Sequence, residues 1–473
     1  MSGQRSSSHG EPLTRRRFLG GVVGAGSLGA LLAACSSTPP SRAVGHVPSF
    51  PLGAASRATT KPVPVTFWHS MTSANLTTLE GLTDDFNSSQ RDVLVTLVNQ
   101  NDYPDTMTLY TASLSGGPYP DVVQIESSDL QLMVDSQSVV PAGAAVAADH
   151  YDLSDFLPAT VEYFRIEGTL WAMPFNISSQ ILYYDQKAFS RAGLDPTAPP
   201  LTLDALRAAA SKIVTTGTEK YGMSIKLTSS NFEQWMAMGG EELVNHANGR
   251  KARATAVTFD DPLGLELFGW ISGMFADKLA QPTSATTYDN LIAVANRIAP
   301  ITIDTSGALG TVAELLAAGQ YSDVKLGVGP LPKPEAAPGG VMIGGAGLYM
   351  VKRSPPERQD AAWRYIKYLV GPAAQARWAA GTGFIPIRRS AITEPVLVDA
   401  WAKLPFFKVA YDQLLASPPS IATAGPADGA QSQVDLAVQS AMSQLSEGVS
   451  PKLALQRAAA TADAAISAYN SRV

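Results

Sequence analysis

Five histidines, one cysteine and scattered carboxylates are the residues of this 473-residue chain that could do covalent or metal chemistry. His9, His46, His69, His150 and His246 lie far apart, and the lone Cys35 has no partner for an internal disulfide. No H-E-x-x-H pair, no paired cysteines and no G-x-S-x-G turn is present. The glycines of "GGAGLYM" lack the spacing of a phosphate-cradling loop. Adjacent acids occur at Asp84-Asp85 and Asp260-Asp261, where solvated turns and helix ends usually place them. The expectation is therefore a protein without catalytic residues, metal or cofactor.

Aromatic residues form the more informative set. Trp68, Tyr103, Trp171, Phe175, Tyr183, Tyr184, Phe232, Trp235 and Phe384 fall in loop-rich or strand-end segments. Most rings fill a core. Rings beside hydroxyls and carboxylates also suit capture of a polar small molecule, because a flat apolar face and a polar rim satisfy both of its surfaces.

The neighbours of Cys35 give that thiol a different role. Arg15, Arg16 and Arg17 precede an apolar, glycine-diluted run from Phe18 to Ala34. At about 17 residues the run is short for a membrane span and fits a removable export signal. Thr14-Arg15-Arg16-Arg17-Phe18-Leu19 resembles a twin-arginine signal, and Leu32-Ala33-Ala34-Cys35 resembles a lipobox. Residues 1–34 are expected to be the signal, Cys35 the lipidated mature N-terminus, and 35–61, rich in Ser, Pro, Ala and Gly, a flexible tether. The domain would then sit on the outer face of the cytoplasmic membrane, touching it through the lipid only, as a monomer.

Charge narrows the partners. The first 34 residues carry Arg5, Arg15, Arg16, Arg17 and Glu11, so the remainder is near −9 against −6 for the whole chain. No basic block follows the leader, which argues against nucleic acid.

Elements to position a site are legible downstream. Val63, Val65 and Phe67 alternate with other residues as in a strand, and Leu76, Leu79, Leu82 and Phe86 recur at near-helical spacing. "DVLVTLVN", "PDVVQIE", "APITIDTS", "VKLGVGPLP" and "GLYMVKR" read as further strands. Thr202 and Ser450 are placed as N-caps of helices, the latter followed by Pro451. Strands alternating with helices predict an α/β fold with a mainly parallel sheet.

"FWHSM", "GTLWAMPFNISSQILYYDQKAFSRAGLDPTAPPLTLDAL", "MIGGAGLYM" and "TGFIPIRRSA" resemble the extracellular solute-binding proteins of carbohydrate-type ABC importers, particularly the glycerol-3-phosphate and glycerophosphodiester binders. The resemblance implies a two-lobed periplasmic-binding-protein-like fold with a hinge and an interlobe ligand cleft, and a membrane permease as partner. It places lobe 1 at 62–173 plus 299–345 and lobe 2 at 174–298 plus 346–473. It also implies ligand-binding roles for Tyr103, Ser178, Thr305 and Gly345.

Departures from the family pattern bear on the ligand. Ser127 stands where the family has an acid, with Glu126 one position earlier. Phe384 replaces a tyrosine. Paired tryptophans of the subgroup fall near Leu227 and Ser230, with Phe232 the nearest compensating ring. A phosphate-gripping arginine falls on Asp435, where a carboxylate would repel phosphate; the alternative places Asp435 on a solvated helix face. Arg388 and Arg389 are then the other candidate phosphate contacts. The resulting expectation is a receptor for a saccharide, amino sugar or polyol, with Glu126 and Asp435 as acceptors. A glycerophosphodiester receptor and an extracellular carbohydrate-active hydrolase are the alternatives.

Overall fold

The computed structural model describes residues 49–57, 61–217, 219–335 and 337–473. Cys35, the arginine run and most of the expected tether lie outside the described residues. Among the described residues the strands run β1 (Val63–His69), β2 (Val93–Asn99), β3 (Val122–Glu126), β4 (Val139–Val140), β5 (Arg165–Ile166), β6 (Thr169–Leu170) and β7 (Met173–Ser178). They continue with β8 (Gln180–Asp185), β9 (Met223–Lys226), β10 (Ala280–Thr283), β11 (Ile301–Thr305), β12 (Leu326–Pro330) and β13 (Gly344–Val351). Two sheets carry two α/β lobes. The first has the order β2-β1-β3-β13-β4, with β7 also on β13, and the second has the order β10-β9-β11-β8-β12.

Both sheets are mixed rather than mainly parallel. In the first, β1 pairs in parallel with β2 and β3, while β13 runs antiparallel to β3, β4 and β7. In the second, β9 is parallel to β10 and β11, and β8 is antiparallel to β11 and β12. The antiparallel strands follow from passage between the sheets. A single residue, Ser179, separates β7 in one sheet from β8 in the other. The chain returns between β12 and β13. So short a link demands that flanking strands run on without a covering helix, unlike the long crossover of a parallel pair.

Sheet membership departs from the expected partition. The strands of 299–345 that precede Gly344, β11 and β12, pair inside the second sheet. Part of the segment after 346 in turn serves the first lobe, as the hydroxyl of Tyr365 meets that of Thr83 at 2.7 Å and Arg358 pairs with the buried Asp121. Helices Val409–Ala416, Gln431–Ser446 and Pro451–Asn470 pack on second-lobe elements. The strand-like "APITIDTS" carries no mark of which sheet it joins; its burial between β9 and β8 decides that.

Local rules hold well. Thr202 Oγ1 accepts from the Ala205 N–H at 3.2 Å, capping helix Leu203–Thr216. β3 is buried on both faces as a central strand, so its polar Gln124 must be satisfied internally. Gln124 Oε1 accepts from the Ser70 N–H at 2.9 Å, and its Nε2 donates to Asn176 Oδ1 at 2.7 Å. Among the described residues no helix is long and apolar enough to cross a membrane.

Candidate binding cleft

Strand ends from both sheets meet around one cleft of about 460 Å³. Glu126 ends β3, Ser178 ends β7, Thr305 ends β11, and Gly345 lies at the start of the antiparallel β13. Ligand crevices of α/β sheets form at such carboxyl ends. Tyr103 opens helix Tyr103–Leu114, Ser127 follows β3, Phe384 follows helix Pro372–Thr382, and Asp435 projects from helix Gln431–Ser446. All eight residues singled out from the sequence line this cleft. Asp435 is on its wall and not on a solvated helix face.

Each is held by identifiable contacts. Asp102 caps the Tyr103 helix through the Asp105 N–H at 2.8 Å. Asn176 Nδ2 donates to the Tyr103 hydroxyl oxygen at 2.7 Å, ending the relay from Ser70 through Gln124. That leaves the tyrosine proton for another acceptor. Phe384 stacks on Trp378 at 5.6 Å and 19°, and Trp378 stacks on Phe175 at 4.8 Å. Gly307 lies under the Phe384 ring, where a Cβ would fall 2.6 Å from it. Gly345 has φ +98°, and a Cβ there would stand 1.9 Å from the Asn176 carbonyl oxygen. Only glycine permits that approach at that φ.

The wall is acidic. Burial, then the charges of Asp129, Asp435 and Asp102, push the Glu126 carboxyl up to about 8. Burial and Asp435 raise Asp129 to about 6. Burial raises Glu233 well above the carboxylate range, with Asp435 adding to it, and burial also raises Asp435. Gln431 Nε2 bridges the last two, 2.9 Å from Asp435 Oδ1 and 3.2 Å from Glu233 Oε1. Lys226 is the one basic side chain on the wall among the described residues, and it is paired with Asp304 at 3.2 Å. Three amide oxygens on the wall, Asn75 Oδ1, Gln180 Oε1 and Gln431 Oε1, are buried without a hydrogen-bond partner. Among the described residues no group of three or more His, Cys, Asp or Glu is placed to hold a metal ion.

Other expected residues stand elsewhere. Phe232 is sealed in the core between Phe259 and Phe268, at 5.6 and 5.2 Å, because its helix turns that face inward. Leu227 packs on the core, while Ser230 reaches the cleft. Arg388 is buried away from the cleft, donating to the Val370 carbonyl at 2.6 Å and Asp155 at 3.2 Å, and lying 4.1 Å from the Phe156 ring. Arg389 donates to the Ser154 carbonyl at 3.1 Å. Neither arginine lines the cleft. Of the nine aromatics, only Tyr103 and Phe384 reach it; Tyr163 and Tyr288 join them unannounced by the sequence.

The sequence profile of the bacterial extracellular solute-binding proteins matches residues 81–406. The chain belongs to that family. Members of this family bind solutes, so the hydrolase alternative falls away. Among similar proteins, the sn-glycerol-3-phosphate-binding periplasmic protein UgpB of Rhizobium meliloti (strain 1021) is 28% identical over 409 residues, covering 85% of this chain and 93% of that protein. The GacH receptor of Streptomyces glaucescens, solved unliganded and with acarbose, superposes with a TM-score of 0.70 at 23% identity. That match covers 86% of this chain and 98% of GacH. UgpB from Mycobacterium tuberculosis, solved with glycerophosphocholine, gives a TM-score of 0.70 at 19% identity over 86% of this chain and 99% of its own. The two-lobed architecture is thus that of solute-binding proteins.

Proposed function

We propose that this solute-binding protein serves an ABC importer, captures a donor-rich solute that carries no net negative charge, and delivers it to a membrane permease. A saccharide, amino sugar or polyol fits. The observation that carries the reading is the polarity of the wall: carboxyl groups and three unpartnered amide oxygens, with its single basic side chain already paired. Asn75 and Gln431 have their amide nitrogens engaged by the Gly307 carbonyl and by carboxylates, and neither amide oxygen receives a donor from the protein. Solute hydroxyls or an ammonium supply such donors, and a buried acceptor left unmet costs about 1–3 kcal/mol. Tyr103, Glu126, Ser127, Ser178, Thr305, Gly345, Phe384 and Asp435 are the proposed contacts, with Glu233, Gln431, Asn75 and Gln180 added. Cys35 is the proposed lipid anchor, a reading supported by the sequence alone.

A glycerophosphodiester is the second reading, favoured by the sn-glycerol-3-phosphate binder among the relatives. Calorimetric titration with mono-, di- and amino sugars and with glycerophosphocholine separates the two. Saturable binding of a sugar without the phosphodiester is expected. Binding of glycerophosphocholine alone would reject the donor-rich reading.

A further inference from the structure

We propose that a second, apolar pocket beside the cleft binds the alkyl or aryl substituent of the solute whose polar part occupies the cleft. The inference rests on reading the cleft as the solute site. The pocket encloses about 300 Å³ between helices Asp289–Ala295 and Leu309–Ala317, over the outer strand β12. Leu291, Val294, Val312, Leu315, Leu316 and Leu326 are among its lining, and among the described residues no charged side chain reaches it.

Four residues, Thr72, Asn75, Tyr288 and Gly307, line both the cleft and this pocket. They make the two cavities neighbours through a common wall. At that wall the chemistry changes abruptly. Lys226 Nζ lies 5.4 Å from the Tyr288 ring centroid on the polar side, while Leu291 stands three residues along on the apolar side. Asn75 Oδ1, buried and unpartnered, sits on the shared wall as an acceptor for the last polar donor of a solute. Tyr183 lines the pocket too, but its hydroxyl is spent on the Thr305 carbonyl at 2.7 Å, so it offers only its ring. A wholly hydrophilic solute would leave these leucines facing water beside its own bound hydroxyls. A glycoside with a short alkyl or aryl aglycone covers both surfaces at once.

The test compares methyl and hexyl glycosides of glucosamine by calorimetry on the wild-type protein, Val312→Trp and Leu316→Asn. The hexyl compound is expected to bind at least about tenfold tighter to wild type, since several methylenes leave water. Both variants should remove that preference and keep the methyl glycoside's affinity. Equal binding of the two glycosides to wild type overturns the pocket proposal while the cleft reading stands. If neither glycoside binds, the cleft reading fails for this solute, and the pocket is judged by 1-hexanol alone. Saturable shifts of the Leu315 and Leu316 methyl resonances support it, and unshifted methyls overturn it. Self-association lost in Val312→Trp, with no hexyl preference, assigns the pocket to a second copy of the chain and overturns it as well.

Discussion

Lys226 Nζ stands 3.2 Å from Asp304 Oδ2, and this one ion pair withholds the only basic group on the described cleft wall from any anion. Asp304 is tied further, accepting from Asn290 Nδ2 at 2.9 Å and from the Thr305 N–H at 2.7 Å. The pair is nearly closed to water, with side-chain exposures of 13% and 3%. Screening by salt is therefore weak, and the lysine cannot turn to a phosphate without depriving a buried carboxylate of its counter-ion.

Asp304→Asn releases Lys226. Removing one partner of a buried pair is expected to cost about 3 kcal/mol of stability, read by urea denaturation. The same variant is expected to gain glycerophosphocholine affinity by about tenfold, one charge-assisted hydrogen bond's worth. Unchanged phosphodiester binding in calorimetry would show that Lys226 does not hold anions out.

The acidic wall predicts a pH dependence of stability. Glu126 has a folded pKa of about 8, above its ordinary 4.5, so the folded state holds a proton that the unfolded state releases between those values. Its contribution is present in full below the unfolded pKa and disappears as pH rises through about 8. The melting temperature of the unliganded protein is expected to fall between pH 5 and pH 8. Glu126→Gln, which mimics the protonated acid, is expected to flatten that slope. A wild-type melting temperature that climbs over this range, with the same climb in the variant, would contradict it.

Gly345→Ala is expected to destabilise the fold by about 3 kcal/mol or more, because a side chain at positive φ adds strain to a direct backbone clash. The neighbouring Gly344→Ala, whose added Cβ would meet nothing nearer than Ser178 Oγ at 3.6 Å, serves as the control and should cost far less. Comparable losses in chemical denaturation would remove the special status given to position 345.

Gln413 links both passages between the sheets. Its Nε2 donates to Ser179 Oγ at 3.0 Å and to the Gln180 carbonyl at 2.9 Å, and its Oε1 accepts from the Leu331 N–H at 2.6 Å. Gln413→Ala removes three hydrogen bonds and should cost about 2 kcal/mol. Gln413 is absent from the cleft wall but holds Ser179 and Gln180, which line it, so an accompanying change in sugar affinity reports on the placement of that link. Small-angle scattering of the variant with and without ligand checks this. A profile identical to wild type in both states would confine Gln413 to stability.

Much of this was readable in the chain. The strands of "VPVTFWH" and "VVQIE" declare themselves by short β-branched and aromatic runs, and the cap at Thr202 obeys the local rule, whereas Ser450 stands at its N-cap position without a side-chain capping bond. Tyr103, Ser178, Thr305 and Gly345 are singled out through the family resemblance; they converge because Tyr103 opens a helix while Ser178 and Thr305 end strands and Gly345 lies near the start of one. Glu233 and Lys226 gave no such signal. Their significance comes from partners on other segments, Asp435 and Asp304, and spacing within one segment cannot reveal those. Gln431 and Asp435, four apart on one helix, could have been paired by the helical rule. Phe232 misled because an aromatic at helical spacing is first of all a core residue, and Arg388 because a buried arginine serves the carbonyls that surround it.

The one-residue link at Ser179 gives the cleft a fulcrum. Ser178, Ser179 and Gln180 lie at the point where one sheet gives way to the other, so a rotation of the lobes about that link displaces them least. Were the lobes to rotate about that link, a solute would meet nearly the same floor before and after the rotation. Substitutions at this floor should then weaken the first capture of a solute.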